Sequence, residues 1–207
     1  MPNWCDTTYK IVGPLKSRKA FVAMLDHLNS LPEPLVPNGF GKLWLGCIVS
    51  YLGGSCEEIY CRGQILGYRR IRNLLIVNVE SAWGEPLETR EFLQSKFPDL
   101  QFFYQSEEPG MCVFETNDKE RKYFQERYIL DFSDESREGC YLWVYFGTLR
   151  SAAQFVSFHC VEGRKVKPTM EGIREALDTY QNEKPDDVSY LFEEFKVIED
   201  VSLRGTT

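Results

Sequence analysis

One stretch of the chain constrains its fold more than any other, because an alternating apolar strand pattern leads directly into a helix pattern. From Leu75, every second residue up to Trp83 is apolar or small, whereas the intervening residues become polar at Asn78 and Glu80. Successive side chains of a strand point to opposite faces of a sheet. The stretch therefore predicts a strand with one apolar face and one face that turns polar halfway along.

Turn and helix signals follow this strand. Gly84 and Glu85 interrupt the strand, and Pro86 suits a first helical position because a residue there needs no N–H partner. Glutamates near the start favour a helix N-terminus, and the proline that follows Phe97 ends the helix. We expect a helix over residues 87–97 that lies against the apolar face of the sheet.

The rest of the chain shows strand and helix patterns in a similar alternation. Strand patterns occur within residues 1–12, 64–71, 100–105, 111–116, 123–132 and 141–146. Helix patterns occur at residues 16–31, 149–160 and 170–181. Cys47–Tyr51 fits a weak strand or a short helix, and residues 186–203 fit either a helix or strands. We expect the strand at 64–71 to pair with the opening strand.

Up to residue 106 the order is strand, helix, strand, strand, helix, strand. This order predicts an α+β protein with a ferredoxin-like split βαβ core, in which helices cover one face of an antiparallel sheet. The patterns at 123–146 predict a hairpin added to that sheet. We expect one domain over residues 1–207, with the core and hairpin in 1–147 and a helical C-terminal extension over 148–207 packed on it.

Composition excludes several classes of function. The formal charge of −7 and the isoelectric point of about 5.0 make general binding to a DNA backbone unfavourable, since such binding needs clustered Lys and Arg. No apolar run approaches the roughly 20 residues of a membrane span. Seven cysteines without framework spacing, and no leader-like apolar start, predict a reduced cytoplasmic protein.

Three short motifs stand at the ends of the predicted strands. They are Pro2-Asn3-Trp4-Cys5, Ser81-Ala82-Trp83-Gly84-Glu85-Pro86 and Glu108-Pro109-Gly110. Over residues 2–147 the chain resembles the YubB ferredoxin-like domain family, which occurs largely in phages, plasmids and other mobile genetic elements. That family usually shows Asn-Trp-Cys, Thr-Ala-Trp-x-Pro-Pro and Glu-x-Gly at these points, so Ser81 and Glu85 are departures. The resemblance implies a ferredoxin-like fold, a cytosolic setting and a mobile-element origin, but no reaction.

The two tryptophans within these motifs are the first candidate site. Trp4 and Trp83 can form a stacking platform for a base or another planar ligand. Large aromatic side chains at strand ends more often cap a core, and this structural interpretation is the one that we favour.

Carboxylates form the second candidate site. Glu80 on the polar strand face and Glu107 or Glu108 at the following turn can converge at one end of the sheet. Convergence of this kind can bind a divalent cation or raise one pKa for acid catalysis. The alternative is solvating charge on an acidic protein.

The third candidate is the basic run of Arg69, Arg70 and Arg72. These arginines can engage RNA phosphates or an acidic protein from a sheet edge. The paired aromatic signature of RNA-binding ferredoxin-like sheets is absent, because the central strand presents Asn78 and Glu80 on its polar face. Charge that protects an edge strand from aggregation is the alternative that we favour.

No catalytic residue set, cofactor or metal site is assigned from the sequence. Cys56, Cys61, His159 and Cys160 offer sulfur and nitrogen for zinc, but their spacing favours buried structural thiols. The leading hypothesis is a non-catalytic interaction module of a mobile genetic element that binds an unknown macromolecular partner. The alternative is a small-molecule or nucleotide enzyme that uses carboxylates and a divalent metal at the end of the sheet.

Overall fold

A computed structural model of the protein describes residues 3–200. Pro2 of the first motif, and positions 201–203 of the segment that fits either helix or strand, lie outside the described residues. In chain order the elements are β1 (Trp4–Val12), α1 (Leu15–Ser30), α2 (Leu45–Tyr51), β2 (Gly63–Ile71), β3 (Leu74–Ala82), α3 (Leu87–Lys96), β4 (Gln101–Glu108), β5 (Val113–Thr116), β6 (Tyr128–Asp134), β7 (Tyr141–Phe146), α4 (Leu149–Phe155), α5 (Met170–Glu183), β8 (Val188–Glu194) and β9 (Lys196–Val197). The α+β class predicted from the sequence is confirmed.

The chain forms two compact units. Unit 1 comprises residues 1–123 and 197–207, and unit 2 comprises residues 124–196. The division falls between residues 123 and 124, whereas the sequence patterns placed the end of the core and hairpin at 147. That residues 1–207 act as one domain stays a prediction.

Unit 1 is built on a sheet with the strand order β2-β3-β1-β4-β5-β9. β1 pairs antiparallel with β3 and with β4, and β2 pairs antiparallel with β3. β3 is therefore an interior strand. The expected pairing of residues 64–71 with the opening strand is wrong, because β3 lies between β2 and β1 and leaves β2 near the sheet edge.

The two faces of β3 match the alternation in the sequence. Leu75, Val77 and Val79 are buried in one apolar core with side chains of the helices α1 and α3, whereas Asn78 on the other face is exposed. The alternation predicted that the apolar face extends to Trp83, and this prediction is wrong. β3 ends at Ala82, and the side chain of Trp83 is 45% exposed.

Unit 2 contains a second sheet with the strand order β7-β6-β8. Its core lies between one face of this sheet and the helices α4 and α5. The sequence predicted that the hairpin of β6 and β7 is added to the first sheet. This prediction is wrong, because the hairpin belongs to a separate sheet. Residues 188–194 and 196–197 are strands, so the C-terminal extension is not purely helical.

The segment 47–51 is helical, within α2, which selects one of the two structures that its sequence allowed. Residues 149–160 form α4 followed by a π-helical turn at Val156–Cys160. Among residues 3–200, none of the helices combines the length and the apolar character needed to cross a membrane.

Candidate functional site

The three motifs meet at one end of the unit 1 sheet. The backbone N–H of Trp83 donates to the carbonyl oxygen of Asn3 at 2.9 Å, which joins the first motif to the second. A Cβ atom placed on Gly110 would lie 3.0 Å from Nδ2 of Asn3 and 2.9 Å from Oε1 of Glu108, so the third motif packs closely against the first. The motif residues thus belong to one local structure.

Trp83 has an unusual backbone at this junction. Its φ angle is +72°, in the left-handed region that a bulky side chain rarely adopts. The turn that imposes this angle is held by Ser81, whose Oγ donates to the carbonyl oxygen of Gly84 at 2.7 Å. A strained backbone that presents a half-exposed indole is typical of a functional position. The sequence pattern had no means of indicating this angle.

A row of three carboxylates crosses the sheet on the same face as Trp4. Asp6 on β1 lies directly opposite both Glu80 on β3 and Glu107 on β4, and we call these residues the acidic row. Gln64 on β2 extends the row, since its Nε2 donates to Oε2 of Glu80 at 3.3 Å. Partial desolvation and the charge of Glu80 raise the pKa of Asp6.

Trp4 lies at the same end of this face. It precedes Asp6 by two residues on β1 and therefore shares its side of the sheet. The Trp4 side chain is 37% exposed, and its ring meets Phe40 edge to face at 5.9 Å. We call Trp4 and Trp83 the tryptophan end of the sheet.

Phe40 also lines a surface groove. Its volume is about 460 Å³, and its lining includes Phe40, Trp44, Tyr60 and Glu88. The ring of Phe40 stacks on that of Trp44, whose buried Nε1 has no hydrogen-bond partner within the described residues. Phe40 thus contacts both the groove and Trp4, and the groove borders the tryptophan end.

Two predicted site residues have other surroundings. Glu108 does not join the acidic row, because its side chain is on the buried face of β4 and is only 4% exposed. Its carboxylate caps a 3₁₀ turn by accepting from the backbone N–H groups of Gly110 and Met111 at 3.0 and 2.6 Å. Asn78 is exposed on the open face and accepts from Oγ1 of Thr8 at 3.3 Å.

Two of the three arginines of the basic run lie on opposite faces of the sheet. Arg69 and Arg70 are exposed on β2, and because they are consecutive their side chains point to opposite faces of the sheet. Arg72 lies in the turn to β3 with a φ angle of +50°, and its carbonyl oxygen accepts from Nη1 of the buried Arg18 at 3.2 Å. Arg69 and Arg70 therefore cannot both face one flat partner surface.

A buried ionic network at the base of the strand-helix junction was missed from the sequence. Nε of Arg90 lies 2.7 Å from Oε1 of Glu85, and Oη of Tyr9 donates to the same carboxylate oxygen. Arg90 also pairs with Asp200, which accepts from Nδ2 of Asn117 at 3.0 Å. The network ties the segment after β9 to α3.

Burial sets the direction of the pKa shifts of the two acidic groups that interact with Arg90. Burial raises the pKa of Glu85, although the charge of Arg90 and the hydrogen bond from Tyr9 oppose the rise. Burial likewise raises the pKa of the Tyr9 hydroxyl, so it is a donor throughout the physiological range. Beside Arg90 and Tyr9 lies a cavity of about 20 Å³, room for about one water molecule. The network is structural in character.

Within the described part of the chain, no group of three or more His, Cys, Asp or Glu side chains is arranged to hold a metal ion. Comparison of the chain with protein-family models, with curated proteins and with solved structures finds no match.

Proposed function

We propose that the protein is a non-catalytic interaction module that binds a basic segment of a partner protein. The binding surface is the tryptophan end of the unit 1 sheet together with the acidic row. The observation that carries this proposal is the placement of Trp83, which is 45% exposed on a left-handed backbone at the point where the three motifs meet.

The charge of the surface favours a cationic partner. Asp6 and Glu80 face each other across two paired strands, and burial of Asp6 together with repulsion from Glu80 raises the pKa of Asp6. A Lys or Arg side chain placed over them relieves this repulsion and can also lie on an indole face. A nucleic-acid backbone would be repelled by these carboxylates, because its phosphates need cations at the contact. RNA binding through Arg69, Arg70 and Arg72 is accordingly the weaker hypothesis.

The proposal also includes a ferredoxin-like arrangement of unit 1 and membership of the YubB family. The strand order β2-β3-β1-β4, with α1 and α3 against one face, supports a ferredoxin-like arrangement of unit 1. The contacts among Asn3, Trp83, Glu108 and Gly110 support the resemblance to the YubB family, since the residues that carry it are adjacent in space. A mobile-element origin and a cytoplasmic setting follow from that resemblance.

Affinity capture with matched variants tests the proposal. Wild-type protein and the double variant Asp6→Asn/Glu80→Gln are used as baits in cytoplasm of the cell that encodes the chain, and bound proteins are identified by mass spectrometry. We expect a basic protein that the wild type captures and the double variant loses. Capture of the same proteins by both baits, or of acidic proteins alone, contradicts the proposal. Treatment with nuclease distinguishes a direct protein partner from one bridged by RNA.

One observation favours a second candidate, an enzyme that uses carboxylates on a small molecule or nucleotide. Asp6 lies opposite Glu80 on the neighbouring strand, and burial and the charge of Glu80 raise the pKa of Asp6, which is the direction that a general acid requires. An enzyme of this type loses turnover in both Asp6→Asn and Glu80→Gln, and a divalent metal would raise its melting temperature. Screening of purified protein with nucleotides and Mg²⁺ distinguishes it from the interaction module.

A further inference from the structure

Unit 2 presents a column of aromatic side chains on the face of its sheet opposite the helices. Tyr141, Trp143 and Tyr145 alternate along β7, and we call them the aromatic column. Tyr141 is 63% exposed and Tyr145 is 38% exposed. Nε1 of Trp143 donates to Oη of Tyr145 at 2.8 Å, which fixes the indole within the column. The intervening residues of β7 pack into the core instead.

A carboxylate without a counter-charge lies beside this column. Asp131 on β6 is directly opposite Trp143, so the two Cβ atoms are about 5 Å apart, as in any cross-strand pair. Among residues 3–200, Asp131 has no hydrogen-bond or ion-pair partner for its side chain. Burial alone raises its pKa. A half-buried carboxylate in such surroundings is costly to the folded protein unless a cation covers it.

The remaining side chains on this face supply no cation to Asp131. On β8 the residue directly opposite Asp131 is Leu191. The next pair of opposite residues on this face is Ser133 and Ser189. The other carboxylate of the face, Glu193, is paired with Arg174 at 3.0 Å. Asp131 therefore carries the one negative charge that the sheet itself leaves uncompensated in this part of the face.

We propose that this face of unit 2 binds an arginine side chain of a basic protein segment, with its guanidinium flat on the indole of Trp143 and hydrogen-bonded to Asp131. A guanidinium is planar, so it can stack on an aromatic ring and donate two parallel hydrogen bonds to a carboxylate at once. An ammonium group lacks the planar fork. A nucleobase gains the stacking but brings phosphates toward the uncompensated carboxylate of Asp131. This site lies in unit 2 and does not depend on the function proposed for unit 1.

The test uses the full chain and a blocked Gly-Arg-Gly-Arg-Gly peptide as probe. The indole N–H resonance of Trp143 is followed by heteronuclear NMR and is assigned with the variant Trp143→Phe. We expect saturable shifts of this resonance and affinity at least tenfold lower for the same peptide with citrulline in place of arginine, because citrulline keeps the shape and removes the charge. Asp131→Asn is expected to weaken arginine-peptide binding by about the same factor.

Asp186→Asn provides the matched control, since it makes the same chemical change at an exposed position of unit 2 outside the sheet. It should bind the arginine peptide like the wild type. Equal affinity for the arginine and citrulline peptides overturns the proposal, and so does undiminished binding by Asp131→Asn. Tighter binding of Trp143 to oligothymidylate or to a neutral oligosaccharide than to the arginine peptide also overturns it. The peptide comparison uses the wild type, so it is decisive even where a variant folds poorly.

Discussion

Asp131 and Asp134 lie three residues apart on β6, but their carboxylates are on opposite faces of the sheet and in opposite electrostatic surroundings. Asp134 accepts from Oγ of Ser136 and from Oη of Tyr180, and it forms ion pairs with Arg137 and Lys184. Asp131 has none of these interactions. One strand thus carries one carboxylate whose charge stabilises the folded protein and a second whose charge destabilises it.

The first prediction concerns Asp134. Burial opposes its ionisation, but the hydrogen bonds and the two cations prevail and lower its pKa below the ordinary 3.8. A lowered pKa contributes stability that is present above about pH 4 and is lost as the pH falls through the folded-state pKa. Asp134→Asn should lower the free energy of unfolding at pH 7 by about 2–3 kcal/mol.

Urea unfolding at several pH values tests this sign. The difference in unfolding free energy between wild type and Asp134→Asn should shrink as the pH falls from 6 toward 3. A difference that stays constant over this range would show that the carboxylate acts through packing alone.

Asp131 should respond in the opposite direction. Its raised pKa means that the folded protein binds a proton more tightly than the unfolded chain, so this contribution is present at low pH and lost as the pH rises through the folded-state pKa. Asp131→Asn should therefore stabilise the protein at pH 7, by roughly 0.5 kcal/mol because solvent screens the half-exposed group. Thermal unfolding of this variant beside Asp186→Asn measures the effect. A clear destabilisation at pH 7 is incompatible with an uncompensated carboxylate.

The buried network of unit 1 gives a third prediction. Arg90→Met leaves the carboxylates of Glu85 and Asp200 buried without their cation, since their side chains are 5% and 6% exposed. Loss of one partner of a buried pair costs about 3–5 kcal/mol. Glu85→Gln should cost less, about 1–2 kcal/mol, because Arg90 keeps Asp200. Glu91→Gln on the exposed side of α3 is the control. Chemical denaturation decides, and equal small losses for both network variants would show that the pair is dispensable.

A fourth prediction separates two glutamates that look alike in the sequence. Glu108→Gln should lower the free energy of unfolding by about 1 kcal/mol, because its carboxylate caps the turn after β4, and should leave binding at the tryptophan end intact. Glu80→Gln should change stability by less than about 0.5 kcal/mol and weaken binding. Thermal unfolding and peptide titration of both variants measure this contrast. The reverse pattern would assign the site to Glu108.

Local patterns in the sequence predict where the helices and strands of this protein lie better than they predict which strands pair. The faces of β3 follow from the alternation of Val77 and Val79 with Asn78 and Glu80, and α1 follows from its apolar stripe. Which strand lies beside which is decided by contacts distant in sequence, so the neighbour of β2 and the sheet of the β6–β7 hairpin were both misjudged.

The candidate sites likewise include residues that local patterns indicate and residues that depend on contacts distant in sequence. Glu80 is indicated by strand alternation, which places it on the polar face, and Trp4 by its place in a short motif, whereas no pattern singles out Asp6 in the centre of the row. The aromatic column had no sequence signal, because Tyr141–Phe146 is apolar or aromatic at every position, so no alternation of apolar with polar residues marks one face as exposed. The burial of Glu85 depends on Tyr9 and Arg90, which lie on other elements, so no local pattern indicates it.

The central claim is that the tryptophan end and the acidic row together bind a basic segment, and the indole resonances of the four tryptophans test it most directly. Titration of the wild type with the blocked arginine peptide should shift Trp4 and Trp83 saturably and leave Trp44 unchanged, because its Nε1 is buried. In Asp6→Asn/Glu80→Gln the shifts of Trp4 and Trp83 should vanish while the response of Trp143 persists. Unchanged Trp4 and Trp83 resonances in the wild type, or shifts that survive in the double variant, would contradict the account.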